Sequence, residues 1–83
     1  MYLARVYITL KTTVNDPVGL TIRSGLHDLG FSEVQDVRSG KYMEMHLDTG
    51  SKQDAESAVR GMCEKLLVNP VIEEYHFDLR MVE

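Results

Sequence analysis

The sequence of 83 residues holds a single cysteine, no tryptophan, two prolines and no long apolar run. Cys63 alone excludes an internal disulfide and any metal motif built on paired cysteines. A membrane-spanning helix needs about 18–20 consecutive apolar residues, and no stretch comes near that length. A surplus of positive charge is missing as well: nine Lys and Arg face thirteen Asp and Glu, for a net charge of −4. Phosphate recognition relies on clustered Lys and Arg that displace counterions, so this balance argues against a nucleic-acid partner. The opening residues, Met1-Tyr2-Leu3-Ala4-Arg5, run straight into strand-like alternation. They lack the basic segment, apolar segment and cleavage site of a secretory leader, so a cytoplasmic protein with no membrane partner is expected.

What is present fits a folded domain. Hydrophobic residues at 43% and charged residues at 27% are ordinary for a soluble globular chain. The length allows one domain, residues 1–83, which hides only about 60–65% of its unfolded surface. Self-association, as a homodimer or tetramer, would therefore add to a modest core.

Hydrophobic periodicity divides the chain into six elements. Residues 2–11 alternate, with Ala4, Val6, Ile8 and Leu10 on one side and Leu3, Arg5, Tyr7 and Thr9 on the other, which predicts a half-buried strand. After the polar loop Thr12-Thr13-Val14-Asn15, Asp16 caps a helix and Pro17 occupies its first position. Val18, Ile22, Leu26 and Leu29 recur at helical spacing as its buried stripe, and Gly30 supplies the left-handed end, so the helix runs over about 17–29. Phe31 to Arg38, with Val34 and Val37, reads as a second strand, joined by a short Ser39-Gly40-Lys41 connection to a third. In that third strand Met43, Met45 and Leu47 oppose Tyr42, Glu44 and His46.

The turn Asp48-Thr49-Gly50 leads to a second helix. Ser51 caps it, and Asp54 takes the place of the usual Glu or Gln of a capping box. Ala55, Ala58, Val59, Met62, Cys63 and Leu66 form its apolar face, and Asn69 and Pro70 terminate it near Val68. The last strand, 71–80, buries Tyr75, Phe77 and Leu79 and exposes Ile72, Glu74, His76 and Asp78. The order β-α-β-β-α-β, with right-handed crossovers, predicts an α+β ferredoxin-like sandwich: a four-stranded antiparallel sheet with two helices on one face.

This topology serves many functions, so chemistry has to come from the residues. Metal delivery would need Cys-x-x-Cys. RNA binding on the open sheet face would use Tyr7 and Tyr42, but Glu44, Glu74 and Asp78 beside them repel phosphate. A phosphate-cradling loop between the first strand and helix would need Gly and Arg, whereas Lys11 to Asp16 has neither. His46 and His76 share the outer face but start about 9–10 Å apart across an intervening strand, too far for a simple zinc pair. His27 sits where it complements the first helix's dipole. Cys63, among Val59, Met62 and Leu66, reads as a buried and inert thiol. No catalytic residue, metal ligand or resident cofactor is expected. The open face mixes Leu3, Tyr7, Tyr42 and Ile72 with charged residues, the character of a subunit interface or of a mixed solvated face.

Two stretches carry a family likeness. Val37-Arg38-Ser39-Gly40-Lys41-Tyr42 resembles the hairpin segment of the PurS subunits of phosphoribosylformylglycinamidine synthase. Met62 to Tyr75, which contains Cys63-Glu64-Lys65-Leu66-Leu67-Val68-Asn69-Pro70-Val71-Ile72, is similar to their helix-to-strand segment, and Val6 to Lys11 with Asp16-Pro17 extends the match. Thr12-Thr13-Val14-Asn15 departs from the Lys-x-Gly more usual in that loop.

The resemblance implies a small subunit with no catalytic residues of its own in a three-protein ligase of purine biosynthesis. A glutaminase of the PurQ type would release ammonia. A large PurL-type subunit using ATP and Mg would convert formylglycinamide ribonucleotide to the amidine, and this chain would bridge the two and assist ammonia transfer. Arg38, Lys41, Tyr42, Tyr7 and Ile72 are the interface candidates. The alternative is a small-molecule-sensing module of the ACT kind, which shares the topology but places a Gly-bearing turn where this chain has Asn15-Asp16-Pro17.

Overall fold

The computed structural model describes residues 1–82 and is built on β1 (Tyr2–Leu10), the middle strand of a three-stranded antiparallel sheet. β1 is flanked by β2 (Gly40–Leu47) and β3 (Glu73–Met81), with Val6 opposite Met43 on one side and Phe77 on the other. One face is apolar because the alternation of β1 is strict: Ala4, Val6 and Ile8 are all but fully buried. α2 (Lys52–Met62) covers that face with Ala55 and Val59 and continues into a π-helical turn, Cys63–Leu67, which adds Cys63. Met43, Met45, Tyr75, Phe77 and Leu79 pack around this core. Ser51 caps α2 as expected, its Oγ accepting the Asp54 N–H at 3.1 Å.

The expected four-stranded sandwich is corrected to three strands. The segment 31–38 forms no strand and is instead tied at two points to α1 (Pro17–Asp28). Phe31 N–H bonds the Leu26 carbonyl and Gly30 N–H that of His27, which closes a Schellman end around Gly30 at φ 97°. Further along, the His27 imidazole meets the Val34 carbonyl at 2.6 Å and Ser39 N–H is taken by Asp16. Val34 and Val37 alone offer too little alternation to compete with these contacts.

The placement of both helices on one sheet face is also corrected. α1 packs closely on no other element, and none of its residues joins the core. Val18, Ile22 and Leu29, expected to be buried, are exposed, Leu29 by 75%. A nine-residue strand is about 30 Å long and a 12-residue helix about 18 Å, so end to end they account for the 50 Å long axis. The radius of gyration, 16.4 Å, exceeds the roughly 12 Å expected of a compact chain of this length. α1 and the returning segment 29–39 thus form an arm that leaves the sheet where β1 ends.

Three finer expectations change. Leu66 is 83% exposed, because the π turn, closed by Val68 N–H on the Cys63 carbonyl, carries it off the apolar stripe. Asn69 does not cap the helix; its Oδ1 accepts the Val71 N–H and organises the turn leading into β3. Ile72 therefore precedes β3 and is not part of the open sheet face. Ser39-Gly40-Lys41 is no hairpin tip: Gly40 begins β2 opposite Thr9, where a Cβ would collide with the Ile8 carbonyl.

Truncating the core should cost far more than truncating the turn. Ile8→Ala is expected to lose about 2–5 kcal/mol in urea unfolding, whereas Val71→Ala should stay within about 0.5 kcal/mol of the parent. Equal losses would contradict this assignment of the core.

Candidate functional site

Asp16 lies where β1, α1 and the start of β2 converge, and it is only 3% exposed. As N-cap it has extended backbone, and its Oδ1 accepts the Gly19 N–H at 2.9 Å. The same carboxylate reaches 23 residues along the chain. Its Oδ2 accepts the Ser39 N–H at 2.7 Å, and the Ser39 hydroxyl donates to both oxygens at 3.1 Å. The Gly19 and Ser39 amides hold the Asp16 carboxyl below the usual carboxylate range, because each bond favours the anion. Gly19 has a second duty: a Cβ there would strike the Val37 carbonyl, so glycine lets the returning segment lie against the helix start.

Arg38 completes this junction. Its Nη2 donates to the carbonyls of Leu10, Lys11 and Val14 at 3.3, 2.8 and 3.1 Å. The guanidinium thereby organises the loop after β1. Arg38 thus has a structural occupation that its position in the sequence does not announce.

Lys41 and Ile72 lie at the same end of the sheet. Lys41 Nζ meets Glu73 Oε2 at 3.2 Å, and Glu73 Oε1 accepts the Asn69 N–H at 2.8 Å. The Asn69 amide, aided by Lys41, lowers the Glu73 pKa. The Ile72 carbonyl accepts the Lys11 N–H at 2.8 Å, tying the turn before β3 to the end of β1.

Tyr7 and Tyr42 project from the opposite, uncovered face, with ring centroids 5.1 Å apart. His76 stacks on the other side of Tyr7 at 4.6 Å and 12°, which makes an aromatic row across all three strands. Tyr42 Oη donates to Glu44 Oε2 at 2.7 Å, and this bond pushes its pKa up to about 12. In the next row Arg5 Nε bonds Asp78 Oδ1 at 2.8 Å.

Arg38, Lys41 and Ile72 are therefore brought together at one end of the sheet, while the Tyr7–Tyr42 pair stands on its outer face. The wider reach of Asp16, the ties of Glu73 and the stacking of His76 escape sequence reasoning, since all three depend on partners far along the chain. Burial pushes the Cys63 thiol up, which keeps it protonated where it lines a 270 Å³ cavity with Lys11, Val68 and Tyr75. Among the described residues no group of three or more His, Cys, Asp or Glu is placed to hold a metal ion. No helix among them is long and apolar enough to cross a membrane. The polar contacts at the end of the sheet orient backbone, and they pair no nucleophile with a base.

Comparison with known proteins gives consistent matches. A family model described as PurS, phosphoribosylformylglycinamidine (FGAM) synthase, matches residues 3–81. The phosphoribosylformylglycinamidine synthase subunit PurS of Bacillus subtilis is 46% identical over 82 residues, 99% of this chain and 96% of that one. The Methanocaldococcus jannaschii subunit PurS is 37% identical over 83 residues, covering both chains fully. Among solved structures, B. subtilis PurS superposes with a TM-score of 0.88 at 46% identity, over 98% of this chain and 100% of that one. A chain of the PurLQS structure from Thermotoga maritima superposes with a TM-score of 0.86 at 31% identity, over 96% and 99%.

The depressed pKa of Asp16 has a pH signature. Its stabilising effect is full above the unfolded carboxylate value of about 3.9 and is lost as pH falls through the lower folded value. Asp16→Asn keeps an acceptor for Gly19 but removes the anion from Ser39. Thermal unfolding should show a parent-minus-variant gap that is constant from about pH 7 to pH 5 and shrinks below about pH 4. A gap unchanged down to pH 2.5 would contradict the ionic role of Asp16.

Proposed function

The chain belongs to the PurS family of phosphoribosylformylglycinamidine synthase subunits, and from that membership we propose that it bridges a PurQ-type glutaminase and a PurL-type ligase. It is a subunit of a carbon–nitrogen ligase complex of purine biosynthesis. In this reading the whole of residues 1–83 acts as one cytoplasmic domain without catalytic residues, and it self-associates. It brings two active sites into register so that ammonia released at one reaches the other. ATP and Mg serve the ligase subunit and not this chain.

The observation that carries the proposal is the match along almost the entire chain, including to a chain of the PurLQS structure of T. maritima. The geometry supports it. A stiff sheet end bearing Arg38, Lys41 and Ile72, and an outer face bearing Tyr7 and Tyr42, offer two contact surfaces. Aromatic and Arg side chains are the usual anchors of such surfaces. Lys41 is the better placed contact, because its side chain remains mostly exposed beyond Glu73. Arg38 acts there by shaping the loop it holds.

Reconstitution with the two partner subunits tests this. Amidine formation from glutamine should fall at least tenfold when the chain is omitted, while formation from free ammonia, which needs only the ATP-using site, should persist. Lys41→Ala together with Tyr42→Ala should weaken the glutamine-dependent rate without unfolding the domain, as exposed substitutions rarely shift stability by more than about 0.5 kcal/mol. Equal glutamine-dependent rates with and without the chain would overturn the proposal.

A further inference from the structure

The loop that joins β1 to α1 is fastened at more points than the core requires. None of residues 11–15 belongs to the core. Yet the Lys11 N–H bonds the Ile72 carbonyl at 2.8 Å, and the Val14 N–H returns to the Lys11 carbonyl at 2.9 Å. Arg38 Nη2 then gathers the carbonyls of Leu10, Lys11 and Val14 from 24 to 28 residues along the chain. The next residue, Asp16, is itself bound to Gly19 and Ser39. Arg38 is exposed, so burial does not account for its place. Exposed polar loops are ordinarily the more mobile parts of a fold. Here a charged donor from the returning segment fixes the shape of one.

The side chains of this loop are left over. Thr12, Thr13 and Asn15 are exposed, and they take no part in the bonds that hold the loop. They carry hydroxyl and amide groups on short stems, which lose less freedom on bonding to another surface than long side chains do. A backbone fixed before contact removes the entropy of ordering it at the moment of binding. Rigid backbone and unoccupied polar side chains together describe a contact element shaped in advance.

We propose that Arg38 is a positioning residue for the glutamine-dependent reaction: it holds residues 11–15 in the shape in which Thr12, Thr13 and Asn15 hydrogen-bond to a polar surface of a partner subunit. This rests on the bridging reading and adds to it three contact residues that lie outside every strand. Arg38 Nη2 is already occupied by three carbonyls, so its influence on the partner passes through the loop.

A double-mutant cycle in the reconstituted three-protein assay tests this. The quantity measured is the concentration of this chain that gives half the maximal glutamine-dependent rate. Arg38→Ala and the loop variant Thr12→Ala/Thr13→Ala/Asn15→Ala should each raise it about tenfold, equivalent to about 1.4 kcal/mol of binding. The rate at saturation should change little. Because Arg38 acts through the loop, the two changes combined should stay near tenfold. A rise of about a hundredfold in the combined form would mean independent contributions and would overturn the proposal. An unchanged concentration for either variant alone would overturn it too. Hydrogen exchange on the free chain supplies a readout that a merely structural role would not give. In Arg38→Ala the Val14 amide should exchange about tenfold faster while the Val6 amide of β1 keeps its rate. Faster exchange at both would make Arg38 a support of the whole fold and contradict its positioning role. If the unaltered chain gives no glutamine-dependent stimulation, the bridging reading fails before any substitution enters, and this proposal fails with it.

Discussion

The shape of this molecule depends on one carboxylate. Asp16 takes the Gly19 amide of α1 and the Ser39 amide together, and Arg38 holds the loop that leads into α1, so the helix and its returning segment leave the sheet in a fixed direction. A buried anion with several N–H and O–H donors is stable where an unpaired one would not be. Among the described elements α1 packs closely on no other, so its direction rests on this carboxylate and on the loop that Arg38 holds. The arm and the surfaces at the sheet end follow from this junction.

The sheet is held by a different logic. β1 is apolar on one face along its whole length, and α2 with the π turn that follows it covers that face with Ala55, Val59 and Cys63. The opposite face is organised by cross-strand pairs: Tyr7 between Tyr42 and His76, and Arg5 beside Asp78. Burial thus fixes one face while the other remains ordered and accessible. That division suits a subunit whose work is contact and whose one thiol is kept out of chemistry.

Much of this was legible from sequence where the signal is local. The strict alternation in β1, Asp16-Pro17 at one helix start, Ser51 at the other and Gly30 at a helix end each occur in the structure as expected. The losses came where a distant partner decides. Segment 31–38 carries β-favouring valines, yet its Phe31 amide and Val34 carbonyl are bonded to α1 and the Ser39 amide that follows it to Asp16, which draws the chain away from strand pairing. Leu66 shares the helical spacing of Val59 and Cys63, but a π turn, which periodicity does not reveal, moves it to the surface. Helical spacing marked Val18, Ile22 and Leu29 as a buried stripe, and there it failed: all three are exposed, because periodicity shows which residues share a helix face and not whether another element packs on it. Among the candidate contacts, Tyr7 and Tyr42 stand as a pair on the outer face, whereas the role of Arg38 in binding three carbonyls has no signature at short range.

The central claim is that this chain is the joining component of a three-protein ligase. Native mass spectrometry of the chain mixed with a PurQ-type glutaminase and a PurL-type ligase, with glutamine and nucleotide present, addresses it directly. The account predicts a species containing all three proteins, lost when this chain is left out. A glutaminase–ligase complex that forms equally well while this chain stays free in solution would contradict it.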